Sequence, residues 1–419
     1  MKMVEQRYLE ASIEALCFPS HKMAFISGPR QCGKTTCAKR MLKNRGQGDY
    51  FNWDEKRFRI GWTKNPLLLI QESLKKDLTG IPLVILDEIH KAKFWKRDLK
   101  GIYDSLDSPV DLLVTGSAKL DVYRRGSDSL LGRYHHFRLH PFSLGELLNN
   151  IYSLNSNDLL STVIHPHEKI ILLQKNQKIS EYFSDLWDFG PFPEPLFSKN
   201  KALLNLWHRE RLERLIREDL RDLSRIQELS QIEMLVSLLP ERAANVLSIT
   251  ALRKDLEVAH STMKLWIHYL KHIYYLFEIK PYHHALARSL KKEGKIYLWD
   301  WSEIENPGAR FENLIACHLF KFADYLSDIG EAKVELHYLK NKEKQEIDFL
   351  LVKDKKPWLP IEVKLSQETL SEHWPAYFKK LPCKQGIQVI KPPGISRKIA
   401  VGEGEVWLVS AEFFLALLP

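Results

Sequence analysis

The sequence predicts an α/β protein in which a three-layer domain with a parallel sheet comes first, a mostly helical region follows, and a smaller α/β domain ends the chain. Up to about residue 147, apolar strand-like runs alternate with helical segments, the pattern of a parallel sheet covered by helices. The middle of the chain is mostly helical, and the last part returns to short apolar runs around helices. A chain of 419 residues is long enough for two to four such domains.

The most specific motif is the segment 28–35, Gly-Pro-Arg-Gln-Cys-Gly-Lys-Thr, which satisfies G-x-x-x-x-G-K-[ST]. A strand-like segment, Met23–Ser27, precedes it and a helical segment, Thr36–Leu42, follows it. Its glycines let the backbone turn so that consecutive N–H groups point at phosphate oxygens. Lys34 is expected to reach the β- and γ-phosphates, and the Thr35 hydroxyl to ligate Mg²⁺. A chance loop is the plain alternative, but it leaves the flanking strand and helix unexplained.

Two adjacent carboxylates follow a second strand. The run Ile81–Leu86 is almost entirely apolar, as expected for a central parallel strand, and Asp87-Glu88 comes directly after it. Carboxylates at the end of a buried strand are costly unless a cation or a water molecule uses them. We expect Asp87 to hold Mg²⁺, directly or through water, and Glu88 to orient and deprotonate the attacking water. A solvated acidic pair is the alternative, and it is less satisfactory about fifty residues after a phosphate loop.

A third strand, Val110–Thr115, ends in Thr115-Gly116-Ser117. A hydroxyl at the tip of a strand next to the carboxylate strand can contact the γ-phosphate or the water. The predicted nucleotide-binding residues are Gly28, Pro29, Arg30, Gln31, Cys32, Gly33, Lys34, Thr35, Thr36, Asp87, Thr115 and Ser117.

With Gly132-Arg133 further along, these motifs resemble a bacterial and archaeal group of AAA+-type ATPases. The resemblance implies an ATP hydrolase that uses ATP and Mg²⁺, with the hydroxyl after the third strand in the position called sensor 1. It makes Arg133 the candidate for the arginine that contacts a γ-phosphate, in one chain or across a subunit boundary in a homo-oligomer. Arg124 and Arg125 compete for that role, and any of the three can instead be a surface charge.

Composition narrows the partners and the compartment. The net charge of +9 suggests a phosphate polymer as partner, with DNA preferred over RNA. No apolar run approaches the roughly 20 residues that a bilayer crossing needs, and the N-terminus lacks a signal-peptide core. The five cysteines are scattered without C-x-x-C spacing, which argues for a reducing compartment and against a disulfide framework or a zinc site. We therefore expect a cytoplasmic protein without membrane contact.

Changes in composition suggest the domain boundaries. The predicted domains are an ATPase core (1–148), a helical lid or linker region (149–235), a winged helix-turn-helix (236–295) and a C-terminal α/β domain (296–419). In the second domain, the helix Leu206–Arg225 alternates arginine with acidic residues, which favours an exposed, ion-paired helix. Contact with nucleotide, a neighbouring subunit or DNA is the alternative.

The winged helix-turn-helix prediction rests on residues 236–290. Ser248 is placed to cap a first helix, and a second helix, Ser261–His272, follows a short turn. Its predicted buried stripe is Met263, Trp266, Ile267 and Leu270, its solvent or DNA face is Lys264, His268, Lys271 and His272, and a basic wing includes Arg288, Lys291 and Lys292. On DNA, the second helix would lie in the major groove and the wing would contact phosphates. Such modules can also serve only as packing units.

The last domain brings acidic residues onto neighbouring strands. In Glu362-Val-Lys364, the period-two geometry of a strand puts Glu362 and Lys364 on one face and Val363 in the core. Asp348, on the preceding strand, can share that face. Converging carboxylates repel one another unless a divalent cation lies between them, which predicts a site for Mg²⁺ or Mn²⁺.

The order helix–strand–strand–strand–helix–strand, with Glu312 near the start of the first helix, resembles the PD-(D/E)XK restriction-nuclease-like superfamily. The resemblance implies that Asp348 and Glu362 ligate the metal and that Lys364 positions or activates water and stabilises the phosphorane charge. Glu312 would assist as an outer or second-metal ligand. Glu346 is either an ion-paired neighbour of Asp348 or a substitute ligand. Such a domain can cleave nucleic acid or only bind it, because domains of this shape can survive as binding modules. The Glu-Val-Lys motif by itself is a weak signal, since a half-exposed strand often alternates Glu and Lys.

At nearly full length, the chain resembles a prokaryotic family of AAA+-like ATPases with a C-terminal domain of unassigned function. Two hypotheses follow. In the first, ATP hydrolysis gates metal-dependent DNA cleavage by the C-terminal domain. In the second, the ATPase is a regulatory or assembly switch, and the last domain only binds DNA or a protein partner.

Overall fold

The structure is a computed structural model that describes residues 6–74, 79–116, 130–148, 167–220, 229–283, 293–340 and 345–419. It divides into two compact units, unit 1 (Met1–Pro141) and unit 2 (Phe142–Pro419). The division into four domains stays a prediction.

Unit 1 is built on a parallel sheet with the strand order β2-β3-β4-β1-β5. The strands are β1 (Met23–Ser27), β2 (Gly48–Asn52), β3 (Leu83–Asp87), β4 (Asp111–Gly116) and β5 (Tyr134–Arg138). Because β4 lies between β1 and β3, the loop after β1, the end of β4 and Asp87 meet at one edge of the sheet. The predicted parallel α/β fold of the first region is confirmed.

Helices connect these strands. They are α1 (Glu10–Ser12), α2 (Lys34–Arg45), α3 (Lys56–Lys64), α4 (Pro66–Ser73) and α5 (Trp95–Ser105). The strands β1, β3 and β4 are buried along their whole length, as their continuous apolar sequences predict. Phe25 and Val84 of the sheet lie in one apolar cluster with Trp95 and Leu99 of α5.

Unit 2 begins with helices. They are α6 (Leu144–Leu147), α7 (His167–Gln174), α8 (Lys178–Phe189), α9 (Pro193–Ser198), α10 (Lys201–Arg214), which continues as a π-helical segment Leu215–Leu220, and α11 (Leu229–Leu238). The charged helix is exposed and ion-paired where Arg214 bonds Glu210 at 3.2 Å. Arg211 differs, because it is buried between aromatic rings and bonds Glu303 at 2.9 Å. Arg221 and Arg225 lie outside the described residues.

A helical pair and a hairpin follow: α12 (Ile249–Asp255), α13 (His260–His272), β6 (Leu276–Pro281) and β7 (Lys295–Leu298). Ser248 caps α12 through its hydroxyl oxygen, which accepts from Ala251 N at 3.2 Å. All four residues of the predicted stripe on α13 are buried. On the opposite face Lys264 is exposed, whereas Lys271 is bound to Glu278 at 2.6 Å. The wing residues Arg288, Lys291 and Lys292 lie outside the described residues.

The hairpin joins a larger sheet. β6 pairs antiparallel with β7 and parallel with β8, so the order of the eight strands is β12-β13-β11-β10-β9-β8-β6-β7. The remaining elements are α14 (Pro307–Asp328), β8 (Val334–Lys340), β9 (Glu346–Lys353), β10 (Lys356–Lys364), α15 (Trp374–Lys380), β11 (Gln385–Ile390), β12 (Ser396–Val401), β13 (Gly404–Ser410) and α16 (Ala411–Ala416). From α14 to β11 these elements follow the predicted order.

The helix before β11 is short. α15 begins only at Trp374, where Pro375 fits the first turn because it needs no N–H donor. Upstream, the Gln388 side chain accepts from Ser371 N at 2.9 Å and donates to Thr369 O at 2.8 Å. These bonds satisfy the backbone without a helix.

In the described part of the chain, every helix is too short or too polar to span a bilayer.

Unit 2 contains a buried ion pair. Lys321 of α14 bonds the Glu146 carboxylate and, at 2.9 Å, the Ser143 hydroxyl, and both charged side chains are 3% exposed. Charges this deep are tolerated only as a pair.

We expect Lys321→Met to lower the free energy of unfolding by about 3–5 kcal/mol, because it leaves a buried carboxylate without its counterion. The measurement is denaturant unfolding of the full chain. Lys398→Met is the matched control, since Lys398 pairs with Glu405 at 3.2 Å on the surface, and it should cost less than about 1 kcal/mol. Equal losses in the two variants would contradict the assigned role of the buried pair.

Candidate functional site

The loop after β1 has the backbone of a phosphate cradle. A Cβ atom on Gly28 would lie 2.2 Å from Leu139 O, so a side chain cannot fit there. Gly33 has φ +97° in the left-handed region and immediately precedes α2. Within the loop, Gly28, Pro29 and Cys32 are buried, Arg30 and Gln31 are partly exposed, and Thr36 is exposed in the first turn of α2. The N-terminus of α2 therefore opens onto this loop.

Lys34 folds back over the loop. Its ammonium donates to Gly28 O at 3.0 Å and to Pro29 O at 2.6 Å, and its side chain is buried. These carbonyl oxygens are weaker partners than phosphate oxygens, so the ammonium group is available to a triphosphate that enters the loop.

Asp87 is the centre of a hydroxyl network. Thr35 donates to its Oδ2 at 2.7 Å, Tyr50 donates to the same oxygen at 2.7 Å, and Thr115 donates to Oδ1. Asp87 is 1% exposed, so these three hydroxyls compensate its burial. Thr35, Thr115 and Asp87 were predicted to lie together, but Tyr50 was not among the predicted site residues. The usable signal was a tyrosine hydroxyl on the strand that pairs with β3.

Glu88 follows in a left-handed conformation, φ +58°, and its N–H donates to Thr115 O at 3.0 Å. Burial raises the pKa of its carboxyl, while Lys34 and Lys91 oppose that shift. Lys91 lies 3.5 Å and His90 3.6 Å from Glu88 Oε2. A partly desolvated carboxylate with a raised pKa is suited to accept a proton from water.

Arg133 lies near the amino ends of the strands, whereas the phosphate loop of the same chain follows the carboxyl end of β1. Its carbonyl accepts from Met23 N, at the amino end of β1, and the loop follows the carboxyl end. Its guanidinium grips Asp104 through two bonds of 2.7 and 3.0 Å. Contact with a γ-phosphate therefore requires a neighbouring subunit, and this role stays a prediction. Ser117, Arg124 and Arg125 lie outside the described residues.

Arg7, which was not among the predicted site residues, holds the phosphate loop through hydrogen bonds to the backbone. Arg7 donates to Cys32 O at 2.7 Å and to His140 O at 2.5 Å, and it is 4% exposed. A lone arginine ahead of the first strand gives no recognisable signal in the sequence.

In unit 2, two structural features position the carboxylates. Asn313 fixes α14 to β7, because its side chain accepts from Leu298 N and donates to Leu298 O, both at 2.7 Å. β9 carries a bulge, because Leu350 and Ile347, three residues apart, pair with two residues of β8 that are only two apart. Ile347 and Leu350 lie in the same apolar cluster, which leaves Asp348 and Phe349 for the side that contacts β7.

Lys295 of β7 lies among three carboxylates. Its Nζ is 2.5 Å from Glu346 Oε1, 3.0 Å from Glu312 Oε1 and 3.8 Å from Asp348 Oδ1. Burial would lower the pKa of this ammonium, but attraction to Glu312, Asp348 and Glu346 raises it. Lys295 was not among the predicted site residues, although a lysine in an otherwise apolar strand indicates a buried partner of opposite charge. Glu346 is thus an ion-paired neighbour, one of the two alternatives.

Asp348, Glu362 and Lys364 meet beside this group. Asp348 Oδ2 accepts from Val363 N at 2.8 Å, and Lys364 Nζ lies 2.7 Å from Glu362 Oε1. The other oxygen, Glu362 Oε2, is buried and has no hydrogen-bond partner. An orphaned carboxylate oxygen at this depth is costly, and its chemistry fits that of a cation ligand.

The pKa shifts show how crowded these carboxylates are. Burial, followed by repulsion from Asp348, raises the pKa of Glu362 to about 8 and that of Glu312 to about 7. Burial also raises the pKa of Asp348. Three buried carboxylates can supply the oxygen ligands that a hard divalent ion prefers.

A different group has the tightest ligand geometry. Among the residues that the structure describes, His208, Asp300 and Glu303 bring three ligand atoms within 4.8 Å of one another, and the Glu312, Asp348 and Glu362 set does not. His208 Nε2 lies 3.4 Å from Asp300 Oδ2, and Arg211 bonds Glu303 at 2.9 Å. Burial would lower the pKa of His208, but the bond to Asp300 raises it. Arg211 supplies a cation to this group, and Asp300 Oδ2, like Glu362 Oε2, is buried without a hydrogen-bond partner.

Comparisons with known proteins divide the chain in three. Residues 20–148 match a family model described as an AAA domain. Residues 180–302 and 307–395 match two models, each described as a domain of unknown function, DUF8612 and DUF4143. An uncharacterized protein of Methanocaldococcus jannaschii is 23% identical over 390 residues, which are 90% of this chain and 82% of that protein.

Two solved structures align over much of the chain. The Aeropyrum pernix ORC1 protein in complex with DNA has a TM-score of 0.30 and 13% identity, and covers 75% of this chain and 93% of its own. The replication initiator DnaA, bound to AMPPCP and single-stranded DNA, has a TM-score of 0.29 and 14% identity, covering 63% of this chain and 86% of its own. Such low TM-scores carry no conclusion about this chain. Residues 20–148 are thus similar to AAA domains, and the parallel sheet with its glycine-rich loop gives them a P-loop α/β fold.

We expect the metal-free protein to lose stability as the pH rises from about 5 to 8. In the folded state, burial and repulsion from Asp348 raise the pKa of Glu362 from 4.5 to about 8. Between these values the folded state binds more protons, so the stabilising contribution is lost as the pH rises through the folded pKa. The free energy of unfolding of Glu362→Gln, taken relative to that of the parent, should therefore be more than about 1 kcal/mol higher at pH 8 than at pH 5. A shift of one pKa unit corresponds to about 1.4 kcal/mol.

The measurement is denaturant unfolding in EDTA at both pH values. Glu405→Gln, at a partly exposed carboxylate on β13 that pairs with Lys398 on the surface, is the control and should leave the pH dependence of the parent unchanged. If Glu362→Gln also keeps that dependence, the carboxyl is not the group that titrates.

Proposed function

We propose that unit 1 binds ATP and hydrolyses it. The observation that carries the proposal is the Asp87 network, in which the threonine of the phosphate loop and the hydroxyl at the tip of β4 converge on one buried carboxylate beside Glu88. Thr35 and Asp87 would hold a Mg²⁺ ion bound with the nucleotide, and this ion would neutralise charge that develops on the phosphates.

The residues of the loop and the sheet have separate roles in this proposal. Lys34 leaves its two carbonyl partners and binds the β- and γ-phosphates, while Thr35 and Asp87 hold the magnesium. Glu88 accepts the proton of the attacking water, and Thr115 orients the γ-phosphate side of the site. Arg133 acts on the triphosphate of a neighbouring copy, so we propose a homo-oligomer as the active species.

We expect Lys34→Ala to weaken ATP binding more than about tenfold, because the main ammonium contact with the phosphates is lost. Glu88→Gln should retain binding and lower kcat by about 10²–10⁴-fold, since only the proton acceptor is removed. Calorimetry measures binding, and phosphate release measures turnover.

Lys43→Ala is the matched control, since Lys43 is an exposed lysine on the same helix as Lys34. It should behave as the parent in both assays. An unchanged ATP affinity in Lys34→Ala would remove the phosphate-binding assignment.

For unit 2 we propose metal-dependent hydrolysis of phosphodiesters, with DNA as the substrate. The unpartnered oxygen of Glu362, next to Asp348 and Lys364, carries this proposal. Asp348 and Glu362 would hold a Mg²⁺ or Mn²⁺ ion, which polarises the scissile phosphate and its attacking water. Lys364 positions that water and stabilises the charge on the phosphorus centre. Glu312 assists from outside the ion's direct ligands.

The net charge of +9 and the exposed Lys264 on α13 support nucleic acid as the partner. In the winged-helix proposal, α13 lies in the major groove and the described hairpin of β6 and β7 leads into the wing. The nucleotide state of unit 1 would then control cleavage by unit 2.

A second candidate function is binding without cleavage. Lys295 favours it, because this ammonium already compensates Glu312 and Glu346 and reduces the demand for a metal. In that case unit 2 only binds DNA or a protein partner, and ATP switches the binding.

We expect the parent to cleave DNA with Mg²⁺ or Mn²⁺, and Lys364→Ala to lower the rate by at least about 10²-fold, because the water loses its positioning group. The assay is conversion of supercoiled plasmid with and without ATP, and Lys34→Ala should abolish the effect of ATP.

Lys356→Ala is the control, at an exposed lysine on the opposite end of β10. DNA binding without cleavage in any divalent metal would establish the second candidate. Full cleavage by Lys364→Ala would exclude this lysine from the reaction.

A further inference from the structure

We propose that Lys295 is a built-in cation that fills one of two cation positions in the carboxylate cluster, so that unit 2 takes one divalent ion, between Asp348 and Glu362, and not two. This inference deepens the function proposed for unit 2 and rests on the same cluster, but it concerns ion binding and can be tested without cleavage.

The position of the ammonium is the first step. Lys295 Nζ touches Glu346 Oε1 at 2.5 Å and Glu312 Oε1 at 3.0 Å, with Asp348 Oδ1 at 3.8 Å. A cation shared by these three carboxylates would have to occupy the same space. Lys295 is 5% exposed, so it cannot move into solvent without opening the structure.

Glu312 is held by a second donor. Tyr297 OH donates to Glu312 Oε1 at 2.8 Å, so the oxygen that contacts Lys295 already accepts two hydrogen bonds. Both donors come from β7, which Asn313 fastens to the helix that carries Glu312. Glu312 therefore orients Lys295 and is not a direct metal ligand.

Charge balance gives the number of ions. Four carboxylates, Glu312, Glu346, Asp348 and Glu362, face Lys295, Lys364 and the more exposed Lys340. This leaves one negative charge without compensation. One divalent ion turns it into one positive charge, and a second ion would raise the charge of this buried group to three, which is unfavourable. Without the charge of Lys295, two ions would leave only two positive charges, and the second ion could take the position of the ammonium.

The position of the ion follows from the hydrogen bonds of the carboxylate oxygens. Glu362 Oε2 is the buried carboxylate oxygen of this cluster without a hydrogen-bond partner, whereas Asp348 Oδ2 accepts from Val363 N and faces the same strand. The single ion therefore belongs on the Glu362 side of Asp348, and Lys295 on the other side.

The experiment counts Mn²⁺ ions on the nucleotide-free full chain by calorimetry. The double variant Asp348→Asn/Glu362→Gln serves as the blank for all other sites. The parent should bind one more ion than the blank. Lys295→Met, whose side chain is one atom shorter and leaves the position of the ammonium open, should bind two more than the same blank in the Lys295→Met background, and Lys295→Arg should stay at one.

A parent that binds no ion or two ions above the blank overturns the proposal, and so does a folded Lys295→Met protein that still binds one. Glu312→Gln keeps the proposal testable if Lys295→Met does not fold: it should keep the ion with an affinity within about threefold of the parent, and loss of the ion would refute the assignment. Electron paramagnetic resonance of the parent should show an isolated Mn²⁺, and a spin-coupled pair would also refute it.

Cleavage and ion count separate the two proposals. One ion without cleavage contradicts the proposed hydrolysis and leaves the role of Lys295 intact. Cleavage with two ions does the reverse.

Discussion

The burial of carboxylates with little positive charge around them is the constraint on which both sites depend. In unit 1, Asp87 is almost completely buried, and three hydroxyl groups compensate it without adding charge. Its negative charge therefore remains in full and can attract a cation. In unit 2, lysines do the compensating, and they leave the group of carboxylates one charge short. The same physical problem is solved by dipoles in one unit and by ions in the other.

The fold of unit 1 could be predicted well because its strands are buried on both faces. Continuous apolar runs mark β1, β3 and β4 in the sequence, and each ends in polar residues at the edge where the site forms. The strand order could not be obtained in this way, because nothing in the local pattern of Val110–Thr115 says that this strand inserts between β1 and β3. The hairpin of β6 and β7 is a similar case, since its pairing with β8 depends on contacts far away in the chain.

The candidate sites were predictable where residues close in sequence act together. Gly28 to Thr35 and the pair Glu362 and Lys364 belong to this class, because the loop and the strand fix their geometry locally. Tyr50, Arg7 and Lys295 belong to the other class. Each reaches its partner across a long stretch of chain, as when Lys295 meets Glu346, and spacing carries no information about such contacts. Arg133 shows a further limit, since its motif suggested a role but its edge of the sheet became visible only in three dimensions.

The bulge in β9 makes the length of that strand as important as its composition. In a regular strand, successive side chains point to opposite faces, but at the bulge Asp348 and Phe349 share one face. Asp348 contacts Lys295, and Phe349 contacts Tyr297. A strand without the extra residue could offer β7 either the acid or the aromatic ring. Chains shorter by one residue at this point would therefore lose half of the contact even if every other side chain were kept.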